Sequence, residues 1–157
     1  MAKLEQVNDR DIAAAIWRGC RTMQNVFDAD DDGVPFFRSL IEPDTLLAFS
    51  PFASESHVPG RHLNALLNAE DAVGVALDEE AVEKHRRAVC LSYGGPVALP
   101  LNREVIGGPV VNFCPHNLRE GFHALYALAQ YRYDAEAREL AERSIAAIGQ
   151  LWRPDSG

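Results

Sequence analysis

His57-Val58-Pro59-Gly60-Arg61-His62-Leu63-Asn64-Ala65-Leu66-Leu67-Asn68-Ala69-Glu70 joins a polar stretch, with two histidines and an arginine, to an amphipathic helical pattern. A second stretch, His116-Asn117-Leu118-Arg119-Glu120-Gly121-Phe122-His123-Ala124-Leu125-Tyr126-Ala127-Leu128, repeats it. A shift of 59 residues places His57 on His116, Leu63 on Phe122, Ala65 on Ala124, Leu66 on Leu125 and Leu67 on Tyr126. After each comes a short break and another helical pattern, beginning near Asp78 in one copy and Asp134 in the other. The spacing predicts a mainly α protein of tandem helical hairpins, each led in by a polar loop, in a single domain over residues 1–157.

In the first unit, helices are expected from about Gly60 to Val73, stopped by Gly74, and from about Asp78 to Leu91. Acids lead the latter and Lys84, His85, Arg86 and Arg87 follow, an order that suits the helix dipole. In the second unit they run from about Leu118 to Arg132 and from Asp134 to Trp152. Asn117 and Glu120 have the spacing of a capping box. Upstream, Asn8 or Asp9 opens a helix whose apolar side is Ile12, Ala15, Ile16, Gly19, Met23, Val26 and Phe27. Pro35 to Leu40 is expected to be extended, and Pro43 to Phe49 a short helix or turn. Between the units, Ser92 to Pro115 is rich in Gly and Pro, which forbid a helix. Only Val110-Val111-Asn112-Phe113 suits a short strand there, and so long an irregular connection is often functional.

The chain has 157 residues, enough for one domain with a real core. Its 47% hydrophobic and 24% charged content match a soluble globule. A net charge of −8 argues against nucleic acid, which demands clustered cations to displace counterions, and against an anionic membrane surface. No stretch approaches the ~20 apolar residues of a membrane span, and the first ten residues lack an apolar signal core. Cys20, Cys90 and Cys114 are odd in number and far apart, which fits reduced thiols in the cytoplasm.

Four histidines hold the chemical interest. His57 and His116 occupy equivalent places before the two leading helices. If the units stack side by side, both imidazoles lie along one rim at helix N-termini, where anionic or hydroxyl-rich ligands are favoured. Imidazole serves there as acid, base or hydrogen-bond donor near neutral pH. His62, Arg61, Asn117 and Arg119 are candidates to bind substrate beside them, and Arg38 to line the pocket. His123 sits inside a helix and is assigned no role. Glu55, Glu104 and Glu120 are the acids available for a paired-carboxylate mechanism.

No metal or cofactor is expected. His57, His62 and His116 have no diagnostic ligand spacing. Asp28-Ala29-Asp30-Asp31-Asp32-Gly33 opens like a calcium loop, but Pro35 and Ser39 stand at its eighth and twelfth positions, so a solvated acidic turn is favoured. Gly94-Gly95-Pro96 and Gly107-Gly108-Pro109 lack the strand-turn-helix setting of a nucleotide fingerprint.

The order of polar loop, inner helix with Leu66-Leu67 or Leu125-Tyr126-Ala127-Leu128, turn, and outer helix rich in Ala, Glu and Arg resembles part of a six-hairpin (α/α) toroid. That superfamily includes glycoside hydrolases, polysaccharide lyases and N-acylglucosamine 2-epimerases. Gly60-Arg61-His62-Leu63-Asn64-Ala65-Leu66-Leu67 and His116-Asn117-Leu118-Arg119-Glu120-Gly121 are closest to the hydrolase and lyase branches. The resemblance spans roughly residues 9 to 152 and implies a carbohydrate substrate bound at one end of the helices. It marks His57, Arg61, His62, His116, Asn117, Arg119 and Glu120 as the region of interest, with His57, His116 and Glu120 as catalytic candidates. The activity implied is cleavage of a glycosidic bond by hydrolysis or elimination; a sugar epimerase or a non-catalytic interaction module are the alternatives. Five or six helices are too few for a closed toroid, and unfinished repeat stacks expose apolar faces. Three expectations follow: the N-terminal part of a longer toroid completed by further helical hairpins, a half that assembles with another chain as in a homo-oligomer, or a smaller helical bundle with the same spacing.

Overall fold

Two parallel helices whose first turns touch organise the molecule. In the computed structural model, residues 11–27, 33, 56–103 and 109–151 are described. The elements are α1 (Ile12–Met23), α2 (His57–Val73), α3 (Glu79–Ser92), β1 (Leu101–Arg103), β2 (Val110–Phe113), α4 (Pro115–Tyr131) and α5 (Ala135–Leu151). The chain is mainly helical. Among the described residues, no helix is long and apolar enough to cross a membrane.

α2 and α4 start together, with the His57 and His116 rings stacked at 4.8 Å. They also end together: Tyr131 Oη donates to Asn68 Oδ1 at 2.8 Å, and Arg132 reaches Glu70 at 2.6 Å. Matching ends make the pair parallel, and each is followed by a helix that runs back, α3 or α5. Two hairpins thus lie side by side, as the 59-residue shift predicts.

Local chemistry explains the ends. Gly74 takes the left-handed conformation, φ 66°, that stops α2 and returns its N–H to Glu70. Asp78 caps α3 by accepting from the Glu80 N–H, and Asp134 accepts from the Ala137 N–H at the start of α5. The start of α2 differs from expectation. It begins at His57 rather than near Gly60, because Pro59 in the first turn lacks only an N–H that would be unbonded there anyway. For the same reason α4 begins at Pro115. His57 and His116 are therefore first-turn helical residues, not loop residues. The expected capping box is absent: Cys114 occupies the cap, while Asn117 and Glu120 are buried inside the helix.

α1 stops at Met23 rather than continuing to Phe27. His85 Nε2 donates to the Met23 carbonyl at 3.0 Å, and the Phe27 ring lies 4.7 Å from the His85 ring, so the chain turns onto α3. Between the hairpins, β2 covers the expected strand. Its antiparallel partner β1, with a register shift between Asn102 and Arg103, was not foreseen. The acidic turn Asp28–Asp32, the segments from Pro35 to Phe49, and Arg38, Glu55, Glu104 and Trp152 lie outside the described residues.

The core fills the space among α2 to α5, with Leu63, Leu67, Val89, Tyr93, Leu125 and Leu128 fully enclosed. A smaller cluster of Cys20, Leu66, Ala69 and Val75 holds α1 on α2. Opposite the histidine end, Arg132 links Glu70 to Glu79, and Arg86 links Asp134 to Glu136. These ties set which helix ends adjoin; their exposed members contribute little stability.

α2 and α4 approach closely at Gly60. A Cβ there would overlap the backbone carbonyl of Glu120. Gly60→Ala is expected to lower unfolding stability by about 1–3 kcal/mol, the usual cost of overpacking, in denaturant titrations. An unchanged midpoint would contradict the close approach.

His85 and His62 meet edge to face at 4.9 Å inside the protein. Burial pushes their pKa values down to about 3 and about 4, from 6.5. The unfolded chain binds protons at both once pH falls below 6.5, while the folded chain does not until far lower. Their folded-state advantage is thus full above pH 6.5 and is lost on acidification. Roughly 3 kcal/mol of stability should disappear between pH 7.5 and 5.5, and His85→Gln should about halve that slope. A flat profile across this window would contradict a neutral buried pair.

Candidate functional site

The first turns of α2 and α4 carry the polar cluster. His57 is the first helical residue of one, and His116 the second of the other. Their rings stack at 4.8 Å with 25° between planes. Below them lies the Glu120 carboxylate, only 2% exposed. Arg61 Nη2 donates to Glu120 Oε1 at 3.2 Å, and Arg119 Nε to the same oxygen at 3.0 Å. His116 Nε2 is 3.9 Å from Oε1, and His123 Nδ1 is 3.6 Å from Oε2. Asn117, buried in α4, lies beside His57, where its side chain favours the charged imidazole against the effect of burial.

The sequence produces this arrangement through helical spacing. On α4, His116, Glu120 and His123 fall three and four apart, hence on one side. On α2, His57, Gly60 and Arg61 share the side facing α4. Gly60 lets the helices close far enough for Arg61 to reach across to Glu120.

The electrostatics follow. Burial alone would raise the Glu120 pKa, but hydrogen bonds and charge from Arg119 and Arg61 outweigh it and hold the carboxyl below its ordinary value. Glu120 is therefore ionised at neutral pH and is not poised to donate a proton. Burial, then the Arg61 charge, lowers the pKa of His57, which leaves its imidazole neutral at pH 7. The two guanidiniums outweigh the one carboxylate by one positive charge, although the whole chain carries −8. Two helix N-termini add to that positive potential. Both guanidiniums are more than half exposed, so their outer N–H groups face solvent.

Five expected site residues, His57, Arg61, His116, Asn117 and Arg119, gather here with Glu120. His62 does not; it turns toward α3 and packs on His85, neutral and half-buried. His123, assigned no role from sequence, stands beside Glu120. Its position three residues after Glu120 was the signal that could have found it. Cys90, with its pKa pushed up to about 11 chiefly by burial, is an unreactive thiol.

The chain matches no family model, no curated protein and no solved structure. Function must therefore be argued from this cluster.

Glu120→Gln should keep the volume but release both arginines. Because the guanidiniums can re-enter water, the expected loss is about 1–2 kcal/mol rather than the larger cost of stranding a buried charge. Chemical denaturation measures it; no change would mean that Glu120 does not tie the helices.

Proposed function

We propose that this protein is a carbohydrate-active enzyme that cleaves a glycosidic bond, acting on an acidic sugar by elimination. The observation that carries this reading is the stacked His57–His116 pair standing over a carboxylate that holds two half-exposed guanidiniums. Hydrolysis needs two carboxyl groups across a cleft, one of them protonated. Among the described residues, Glu120 is the carboxylate present in the cluster, and its arginines keep it ionised.

Elimination needs different groups, and these are at hand. Arg61 and Arg119 receive the carboxylate of a uronic acid residue and stabilise the charge that spreads into it. Neutral His57 takes the proton from C5, the carbon next to that carboxylate. The C5–H electrons form the C4–C5 double bond as the C4–O bond breaks. The departing oxygen takes a proton from His116.

The wider reading treats α2 and α4 as inner helices, and α3 and α5 as outer helices, of a partial (α/α) toroid. Tyr126, Ile145 and Leu151 are exposed on α4 and α5, which supports completion by further helical hairpins or by another copy of the chain. Three free thiols support a cytoplasmic location.

The test is a panel of acidic and neutral oligosaccharides. Acidic ones should raise the melting temperature and yield an unsaturated uronide product; stabilisation by neutral sugars alone would overturn the elimination reading. His116→Ala should cut turnover by about 100-fold or more while leaving the melting temperature nearly unchanged. Equal damage to both would remove His116 from the chemistry.

A further inference from the structure

The sequence spacing marks no metal site, yet the fold assembles one kind of ligand set. His57 comes from α2, while His116 and Glu120 come from α4. One ligand atom from each lies within 4.8 Å of the others. We propose that His57, His116 and Glu120 bind a divalent ion of the zinc type, with at least one coordination position open to solvent.

The chemistry of the donors fits. Two imidazoles and one carboxylate are what zinc takes in sites that keep a free position. Ligand atoms around a tetrahedral zinc stand about 3.3 Å apart, given metal–ligand distances near 2.0 Å. Closing from the present separations takes a movement on the order of 1 Å, which the half-exposed His116 ring can make by rotation.

The two guanidiniums oppose a cation, and the geometry shows how that opposition is relieved. Both grip Glu120 Oε1, the oxygen that lies 3.9 Å from His116 Nε2, whereas among the described residues Oε2 has His123 Nδ1 beside it, at 3.6 Å. An ion bound to the carboxylate beside His116 neutralises part of its charge and loosens its hold on Arg61 and Arg119. Being more than half exposed, both can swing outward. Freed guanidiniums are then available to a sugar carboxylate, so metal and acidic sugar bind cooperatively. Ion-bound His57 and His116 no longer take or give the protons of elimination, and the ion inhibits turnover. This coupling rests on the function proposed above; metal binding itself does not.

The experiment is calorimetric titration of the full chain with Zn(II), repeated spectroscopically with Co(II). The expected result is one ion per chain, weakened tenfold or more by His57→Ala and by His116→Ala. Arg119→Ala should tighten binding several-fold, since it removes a repelling charge; circular dichroism verifies that each variant is folded. Absence of saturable binding overturns the proposal. So does binding indifferent to both histidine substitutions, a thiolate-to-cobalt charge-transfer band, or weaker binding in Arg119→Ala. Glucuronate as probe anion separates the two proposals. If it binds while zinc does not, the metal site fails and the acidic-sugar reading stands. If zinc binds while glucuronate does not, with or without metal, the acidic-sugar reading fails and the metal site stands.

Discussion

The closeness of α2 and α4 at Gly60 is the constraint from which the rest of the site follows. Without a side chain at that position, the backbone of one helix rests against the Glu120 carbonyl of the other. Parallel helices brought so near place their first turns, and hence His57 and His116, in ring contact. The same approach allows Arg61 to cross from α2 to a carboxylate rooted in α4. A bulkier residue at this point would hold the helices apart, and the polar groups would be separate surface features.

Glu120 is the second organising element. A carboxylate buried this deeply is costly unless its charge is compensated, and two guanidiniums do so through Oε1. In return it fixes the inner ends of two cations whose outer ends stay in water. The result is a small positive zone on an acidic protein, at the junction of two helix N-termini. That polarity decides among chemistries: it favours an anionic group on the ligand and disfavours a mechanism that needs a protonated carboxyl. A cation is admitted only by taking over the carboxylate from the arginines.

Much of this was legible in the sequence, and the limits have physical causes. The 59-residue repeat and the glycine and acidic helix signals located four helices within a few residues, because helical periodicity and caps are local properties. Pairing of His57 with His116 followed from the repeat alone. The roles of Asn117 and Glu120 did not: their spacing satisfies a helix cap, and only the position of α2 shows that both are buried against it. His62 looked equivalent in chemistry to His57, yet five residues along a helix turn a side chain well away, here onto His85. His123 was passed over because an interior helical histidine is usually structural. β1 carries too short and mixed a pattern to be distinguished from the loop around it.

The most direct measurement is a nuclear Overhauser experiment on the histidine ring protons of the intact chain. The rings of His62 and His85, 4.9 Å apart in the interior, provide an internal standard. The account predicts a cross-peak of similar strength between His57 and His116, lost in His116→Ala. A His62–His85 cross-peak seen without any His57–His116 contact would show that the two first turns do not meet, and would contradict the site built on them.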